Sequence, residues 1–228
     1  GKMIIKNNGE ELYSDKIHEE CGIFGISTTA DEAAGITYNG LLAMQHRGQE
    51  GAGIAVLSGS SILCHKDLGL VSEVFNNRIP ERLQGSRIAV GHTRYSTTGS
   101  NSAQNVQPFI TEYLTGRIAT AHNGNITNAK FLREDLKKCG LDFHASSDSE
   151  VVSSLIAYHC LKAGDATEGV IRGARELEGA FSIIVLSSEN KLIAVRDPNG
   201  FRPLCIGRNE TGVVVASESC AIDSCGFC

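Results

Sequence analysis

The chain has 228 residues, 41% hydrophobic and 21% charged, with 21 Lys and Arg against 26 Asp and Glu for a formal net charge of -5. That length can bury a substantial core without cross-links, which excludes a mini-protein scaffold. No apolar run approaches the roughly 18 residues of a membrane-spanning helix, and an acidic chain with no basic block disfavours a nucleic-acid partner.

Residues 1–20 are charged and aperiodic and read as an N-terminal extension outside the main core. They lack the apolar stretch of a secretory signal, so the compartment reads as cytoplasmic. From Cys21 the texture changes to Cys-Gly-Ile-Phe-Gly-Ile-Ser, a buried strand. A helix is predicted from about Asp31 to Met44, weakened by Gly35 and Gly40, and a hairpin joins Gly53–Leu57 to Ile62–His65 through Ser58-Gly59-Ser60. Arg87–His92 and Arg117–His122 read as strands, separated by the long polar segment Arg94–Gln107, a length and composition typical of a functional loop.

Helices are predicted over Asn128–Cys139, Asp148–Leu161 and Ala166–Leu177, the second announced by Ser147-x-x-Glu150, which matches a capping box. The last third alternates strand and turn over Ala180–Leu186, Leu192–Arg196, Leu204–Gly207 and Val213–Ser217. About eight strands and three or four helices, with no repeat or linker between them, favour one mixed domain with a sheet core flanked by helices.

Eight cysteines are an unusual count. In a reducing compartment Cys64, Cys139, Cys160 and Cys205 read as small buried hydrophobes on strands and helices. Cys225 and Cys228 make a terminal C-x-x-C that lacks the two further ligands of a zinc site, and read as a frayed tail.

Four polar clusters sit where apolar strands are expected to meet loops: Cys21-Gly22, Gly91-His92-Thr93-Arg94, Ala121-His122-Asn123-Gly124 and Ser146-Ser147-Asp148. Together they hold a thiol, a guanidinium, an amide beside a glycine, and a carboxylate. Such a set can hold a zwitterionic amino acid and attack its side-chain carbonyl. An arginine fork suits an α-carboxylate, an aspartate an α-ammonium, and an Asn amide beside a Gly N–H makes a two-donor oxyanion hole. Each residue also has a structural alternative. Arg94 could pair with a surface acid, Asp148 could serve the helix dipole, and Asn-Gly is the favoured pair of a type I′ turn. His46, His92 and His122 invite a Cys-His dyad or a metal site, although they read better as structural.

Glu20-Cys21-Gly22-Ile23-Phe24-Gly25, Gln45-His46-Arg47-Gly48-Gln49-Glu50-Gly51, His92-Thr93-Arg94-Tyr95-Ser96-Thr97, His122-Asn123-Gly124-Asn125 and Ser147-Asp148-Ser149-Glu150 occur together and in order. This set closely resembles the glutaminase domain of the amidophosphoribosyltransferases, which are class II glutamine amidotransferases of the N-terminal-nucleophile (Ntn) hydrolase group. The match runs over about residues 20–222. The resemblance implies a four-layer αββα sandwich of α+β class. In it Cys21 attacks the amide of L-glutamine, Asn123 and Gly124 stabilise the oxyanion, and Arg94 and Asp148 bind the substrate with Arg47 and Gly48 lining the pocket. Residues 94–107 resemble the family's loop that closes over glutamine. No metal is assigned to the site.

The base in that family is the α-amine of the cysteine itself, whose reference pKa of about 7.7–8.0 suits exchange with a thiol. Here residues precede Cys21, so its nitrogen is an amide until the Glu20–Cys21 bond is cut. Glu19-Glu20 is similar to the family's propeptide junction, and the uncut chain is expected to be inactive.

The resemblance further implies that released ammonia serves a phosphoribosyltransferase half, which makes phosphoribosylamine for purine biosynthesis and uses Mg. That half is missing from these 228 residues. Residues 223–228 diverge from the family, no four-cysteine set for an iron–sulfur cluster is expected, and a homo-oligomer is possible through the family's habit of assembly. A glucosamine phosphate synthase relative or a non-catalytic fragment is the alternative.

Overall fold

The computed structural model describes residues 3–7, 10–14, 21–95 and 102–228. Strands β1 (Met3–Asn7) and β2 (Glu10–Ser14) pair antiparallel as a two-stranded sheet of their own. Backbone hydrogen bonding carries that pairing without hydrophobic alternation, which is why the sequence there reads as aperiodic. The Glu19-Glu20 junction lies outside the described residues.

From Cys21 onward the chain runs through β3 (Gly22–Thr28), α1 (Ala33–Ala43), β4 (Gly51–Ser58), β5 (Ser61–Leu68), the single turn α2 (Val71–Val74) and β6 (Ile88–Arg94). Then come β7 (Phe109–Tyr113), β8 (Gly116–Ile126), α3 (Ala129–Lys138), α4 (Asp148–Ala163) and α5 (Ala166–Glu176), followed by β9 (Gly179–Ser187), β10 (Lys191–Arg196), β11 (Cys205–Asn209), β12 (Gly212–Ala216) and α6 (Ser219–Ser224). Two antiparallel sheets result: a six-stranded one ordered β11-β12-β3-β6-β4-β5 and a four-stranded one ordered β10-β9-β8-β7. They stack face to face around Ile23, Ala55, Val90, Ala119, Ala121, Ile184 and Leu186. Outside the larger sheet α1, α2 and α6 close a second core around Phe24, Leu41, Ile54 and Phe227. Outside the smaller one α3, α4 and α5 close a third around Leu132, Val152, Ile156 and Phe181. This is the expected four-layer αββα sandwich. Its central strands are covered on both faces, so β3, β6 and β9 read as near-continuous apolar runs rather than alternating ones.

Helix α1 forms despite its glycines because one of them is needed for packing. A Cβ on Gly40 would lie 2.4 Å from the ring of Phe24 in β3, so only glycine lets the helix lie this close to the sheet.

Several local expectations need correction. The strand expected over Arg117–His122 runs on to Ile126, so Asn123 and Gly124 lie inside β8, paired with Ser182 and Phe181 of β9, and the turn alternative is not adopted. No capping box forms at α4: the Ser147 side chain makes no capping bond, and Glu150 instead accepts from the backbone N–H groups of His144 at 2.7 Å and Ala145 at 2.9 Å. The preceding loop thus folds back over the first turn and takes up the carboxylate, and the Ser147 hydroxyl has no partner among the described residues.

Cys160 is buried, but Cys64 and Cys205 are only half-buried, and Cys139, at the C-terminal end of α3, is exposed. The tail is not frayed. Cys225 and Cys228 are both free thiols; Phe227 is 3% exposed, and Cys228 exchanges backbone hydrogen bonds with Arg208 of β11 at 2.7 and 3.2 Å.

Candidate active site

Cys21 immediately precedes β3, and the Gly22–Thr93 pair sets it beside the C-terminal end of β6. Its sulfur lies 3.4 Å from both the N–H and the carbonyl oxygen of Tyr95, accepting from the first and donating to the second. Burial pushes the thiol above its ordinary pKa, against the opposing pull of the Tyr95 backbone and the Arg94 and Arg47 charges. The sulfur is therefore a thiol at neutral pH and needs a base to become a nucleophile.

Arg47 sits in a 3₁₀ turn, Gln45–Arg47, just after α1. Its Nε donates to the Cys21 carbonyl at 3.2 Å, and one Nη pairs with Glu218 at 2.5 Å. Glu218 also meets the exposed His46 at 2.9 Å. The next residue, Gly48, lies flat on the Arg94 backbone: a Cβ there would come within 2.6 to 2.7 Å of Arg94 N, C and O. The Glu50 N–H then bonds the Arg94 carbonyl at 3.1 Å. Arg94 itself is buried at the end of β6, with one Nη at 3.4 Å from the Ser102 carbonyl. Cys21, Arg47, Gly48 and Arg94 thus form one connected cluster.

Asn123, Gly124 and Asp148 form a second cluster where β8 meets the start of α4. Asn123 is 2% exposed and its side-chain Nδ2 has no acceptor among the described residues. Gly124 has φ +150, and a Cβ there would fall 2.1 Å from the Ala180 carbonyl oxygen, so no other residue fits. Asp148 opens α4 and accepts from the Ile126 N–H at 2.9 Å, tying the helix start to the end of β8.

Strands β3 and β6 lie against β8 across the sandwich. The segment 102–107 ties the two clusters together: Ser102 receives Arg94, the Asn105 amide reaches Ser146 at 3.4 Å, and Gln107 bonds His122. The middle of the expected substrate-covering loop, residues 96–101, lies outside the described residues.

Among the described residues, Cys21 finds no histidine partner; its sulfur is bonded to Tyr95. His92 is fully buried, neither ring nitrogen has a described partner, and burial pushes its pKa down to about 3, so it is neutral. His122 is likewise pushed down by burial, partly offset by Asp148, and its Nδ1 lies 2.9 Å from the Ser149 hydroxyl. No three His, Cys, Asp or Glu side chains among the described residues converge as a metal-binding group. No described helix is long and apolar enough to cross a membrane.

Glu218 was not singled out from the sequence. Its contact with Arg47 spans 171 positions, and the only local signal was the Ala216-Ser217-Glu218-Ser219 run. The arrangement can hold a thiol next to cationic side chains and offer an unpaired amide donor to a developing oxyanion.

A family model described as a glutamine amidotransferase domain matches residues 92–224, more than half of the chain. An amidophosphoribosyltransferase of Methanocaldococcus jannaschii is 46% identical over 203 residues, covering 89% of this chain and 43% of the relative. One from Synechocystis is 45% identical over 227 residues, covering 96% of this chain and 46% of its own. The chain therefore spans just under half the length of these relatives. Among solved structures, a glutamine phosphoribosylpyrophosphate amidotransferase from B. subtilis, complexed with ADP and GMP, superposes with a TM-score of 0.80 at 39% identity, over 91% of this chain and 44% of that one.

Proposed function

The chain belongs to the glutamine amidotransferase domain family, and from that premise we propose that it hydrolyses the side-chain amide of L-glutamine through a thioester on Cys21. Arg94 takes the substrate α-carboxylate as a fork and Asp148 takes the α-ammonium. With Cys21 at the chain's N-terminus, its α-amine accepts the thiol proton and the sulfur attacks the amide carbon. The oxygen then carries negative charge, which Asn123 Nδ2 and the Gly124 N–H receive. The protonated amine returns its proton to the departing nitrogen, ammonia leaves, and a γ-glutamyl thioester remains. Water, deprotonated by the same amine, attacks the thioester carbonyl, giving glutamate and the free thiol.

The observation that carries this reading is the buried Asn123 Nδ2 beside Gly124, which has no acceptor among the described residues. A buried donor without an acceptor costs about 1–3 kcal/mol, and an oxyanion present only during reaction accounts for keeping it. Activity requires cutting the Glu20–Cys21 bond, since an amide nitrogen cannot act as the base. On this reading the ammonia is consumed by a phosphoribosyltransferase half that uses Mg and makes phosphoribosylamine in the cytoplasm, as the relatives' names and greater length support.

The test is mass spectrometry with a γ-electrophilic glutamine analogue, reading N-terminus and labelled residue together. The expected result is a label on Cys21, only in molecules that begin at Cys21, and neither label nor processing in Cys21→Ala. Glutamine hydrolysis by molecules whose Cys21 nitrogen remains an amide would overturn it.

A further inference from the structure

Strand β8 loses its β7 neighbour at the Phe109–Thr120 pair. Two residues on, the backbone of His122 on that side meets no strand, and an unpaired N–H and C=O in the interior would leave the adjacent Asn123 poorly held. The side chain of Gln107, 5% exposed, fills the gap. Its Oε1 accepts from His122 N–H at 2.7 Å and its Nε2 donates to His122 C=O at 3.2 Å, so one side-chain amide imitates a missing residue of the ladder. The same Nε2 donates to the Ser149 hydroxyl at 3.1 Å. That leaves the Ser149 proton for His122 Nδ1, 2.9 Å away, and closes a three-residue network onto the first turn of α4, next to Asp148.

Gln107 is itself clamped from the opposite sheet. Lys66 of β5 donates to the carbonyls on either side of it, Val106 at 2.6 Å and Pro108 at 3.0 Å. Gly53 of β4 clears space for the Gln107 carbonyl, which a Cβ there would meet at 2.2 Å. A side chain held this rigidly transmits position rather than filling space.

We propose that Gln107 is a positioning residue for the oxyanion donors: acting through the His122 backbone and Ser149, it holds Asn123 and Asp148 in register across the site. The inference rests on the glutaminase reading for its kinetic consequence and on geometry alone for its structural one. Loss of an interaction felt chiefly in the transition state lowers kcat while leaving KM nearly unchanged.

The experiment compares wild type with Gln107→Met, which keeps the bulk and removes both polar atoms, and with Gln107→Glu, all with Cys21 at the N-terminus. Gln107→Met is expected to lose roughly tenfold or more in kcat with KM changed by less than about threefold. A protonated carboxyl reproduces the acceptor-and-donor pair, so the kcat of Gln107→Glu, relative to wild type, should recover as pH falls from 8 to 6. Native-state hydrogen exchange provides an arm independent of activity. In Gln107→Met the His122 amide should exchange about tenfold faster, with Ile184 in β9 unaffected. Unchanged kcat, a Gln107→Glu profile superimposable on wild type, or unchanged His122 exchange would each overturn the proposal. A wild type that fails to hydrolyse glutamine would instead count against the proposed function, and the exchange comparison would still decide the role of Gln107.

Discussion

A primary amide with an unused N–H bond inside a protein is a liability unless a partner arrives later, and Asn123, whose Nδ2 has no acceptor among the described residues, carries that liability. Truncating it removes a donor that glutamine in its ground state scarcely uses. Asn123→Ala is therefore expected to lower kcat roughly 100- to 1,000-fold with little change in KM, measured by steady-state ammonia release from chain processed at Cys21. A parallel fall in affinity would instead make the side chain a substrate-binding group. The sequence offers this residue as a candidate oxyanion donor, whereas its setting was not readable there. Asn-Gly is a strong turn signal, and only the nine-residue partner strand β9, remote in sequence, keeps the pair extended. Glu218, which pairs with the Arg47 that donates to the Cys21 carbonyl, was invisible for a related reason: a partner across most of the chain leaves no local pattern.

Among the elements, those that pack with long apolar stretches were legible. Strands β3, β4, β6, β8 and β9 and helices α1, α3, α4 and α5 follow from runs and periodicity that burial demands. The edge strands β5, β10 and β11 were legible too, whereas β1, β2, β7 and the short helices α2 and α6 were not. β7 mixes polar and apolar residues because it borders the four-stranded sheet and is covered less completely. The terminal six residues look featureless in sequence because a single aromatic does the anchoring. Phe227 packs with Ile222 and Val214 in the core beneath α6. Phe227→Ala should cost about 3–5 kcal/mol, the usual range for a buried phenylalanine, read as a lower midpoint in urea with an unchanged slope. A midpoint equal to wild type would mean that the tail does not dock in solution.

At the scale of the whole molecule, the sandwich encloses two imidazoles, and this sets how its stability responds to acid. The ordinary histidine pKa is about 6.5, while burial holds His92 at about 3. Between those values the unfolded chain binds a proton that the folded chain refuses. Stability from this group is thus fully present above pH 6.5 and lost progressively as pH falls toward 3, by at most about 1.4 kcal/mol per unit. His122, also pushed down by burial, adds to the slope in the same direction. Denaturant titrations at pH 7 and 5 should show the loss, and His92→Asn should reduce it; equal stability of the wild type at both values would contradict the buried, neutral assignment.

The way Cys21 is held also bears on maturation. Every described contact that locates it is made by its sulfur, its carbonyl oxygen or the strand that follows: Tyr95 at the thiol, Arg47 at the oxygen, and Thr93 opposite Gly22. Tyr95, Arg47 and Thr93 all lie beyond residue 20, so these three anchors remain when the Glu20–Cys21 bond is cut, and on the proposed reading the new amine would arise beside a sulfur that they still hold.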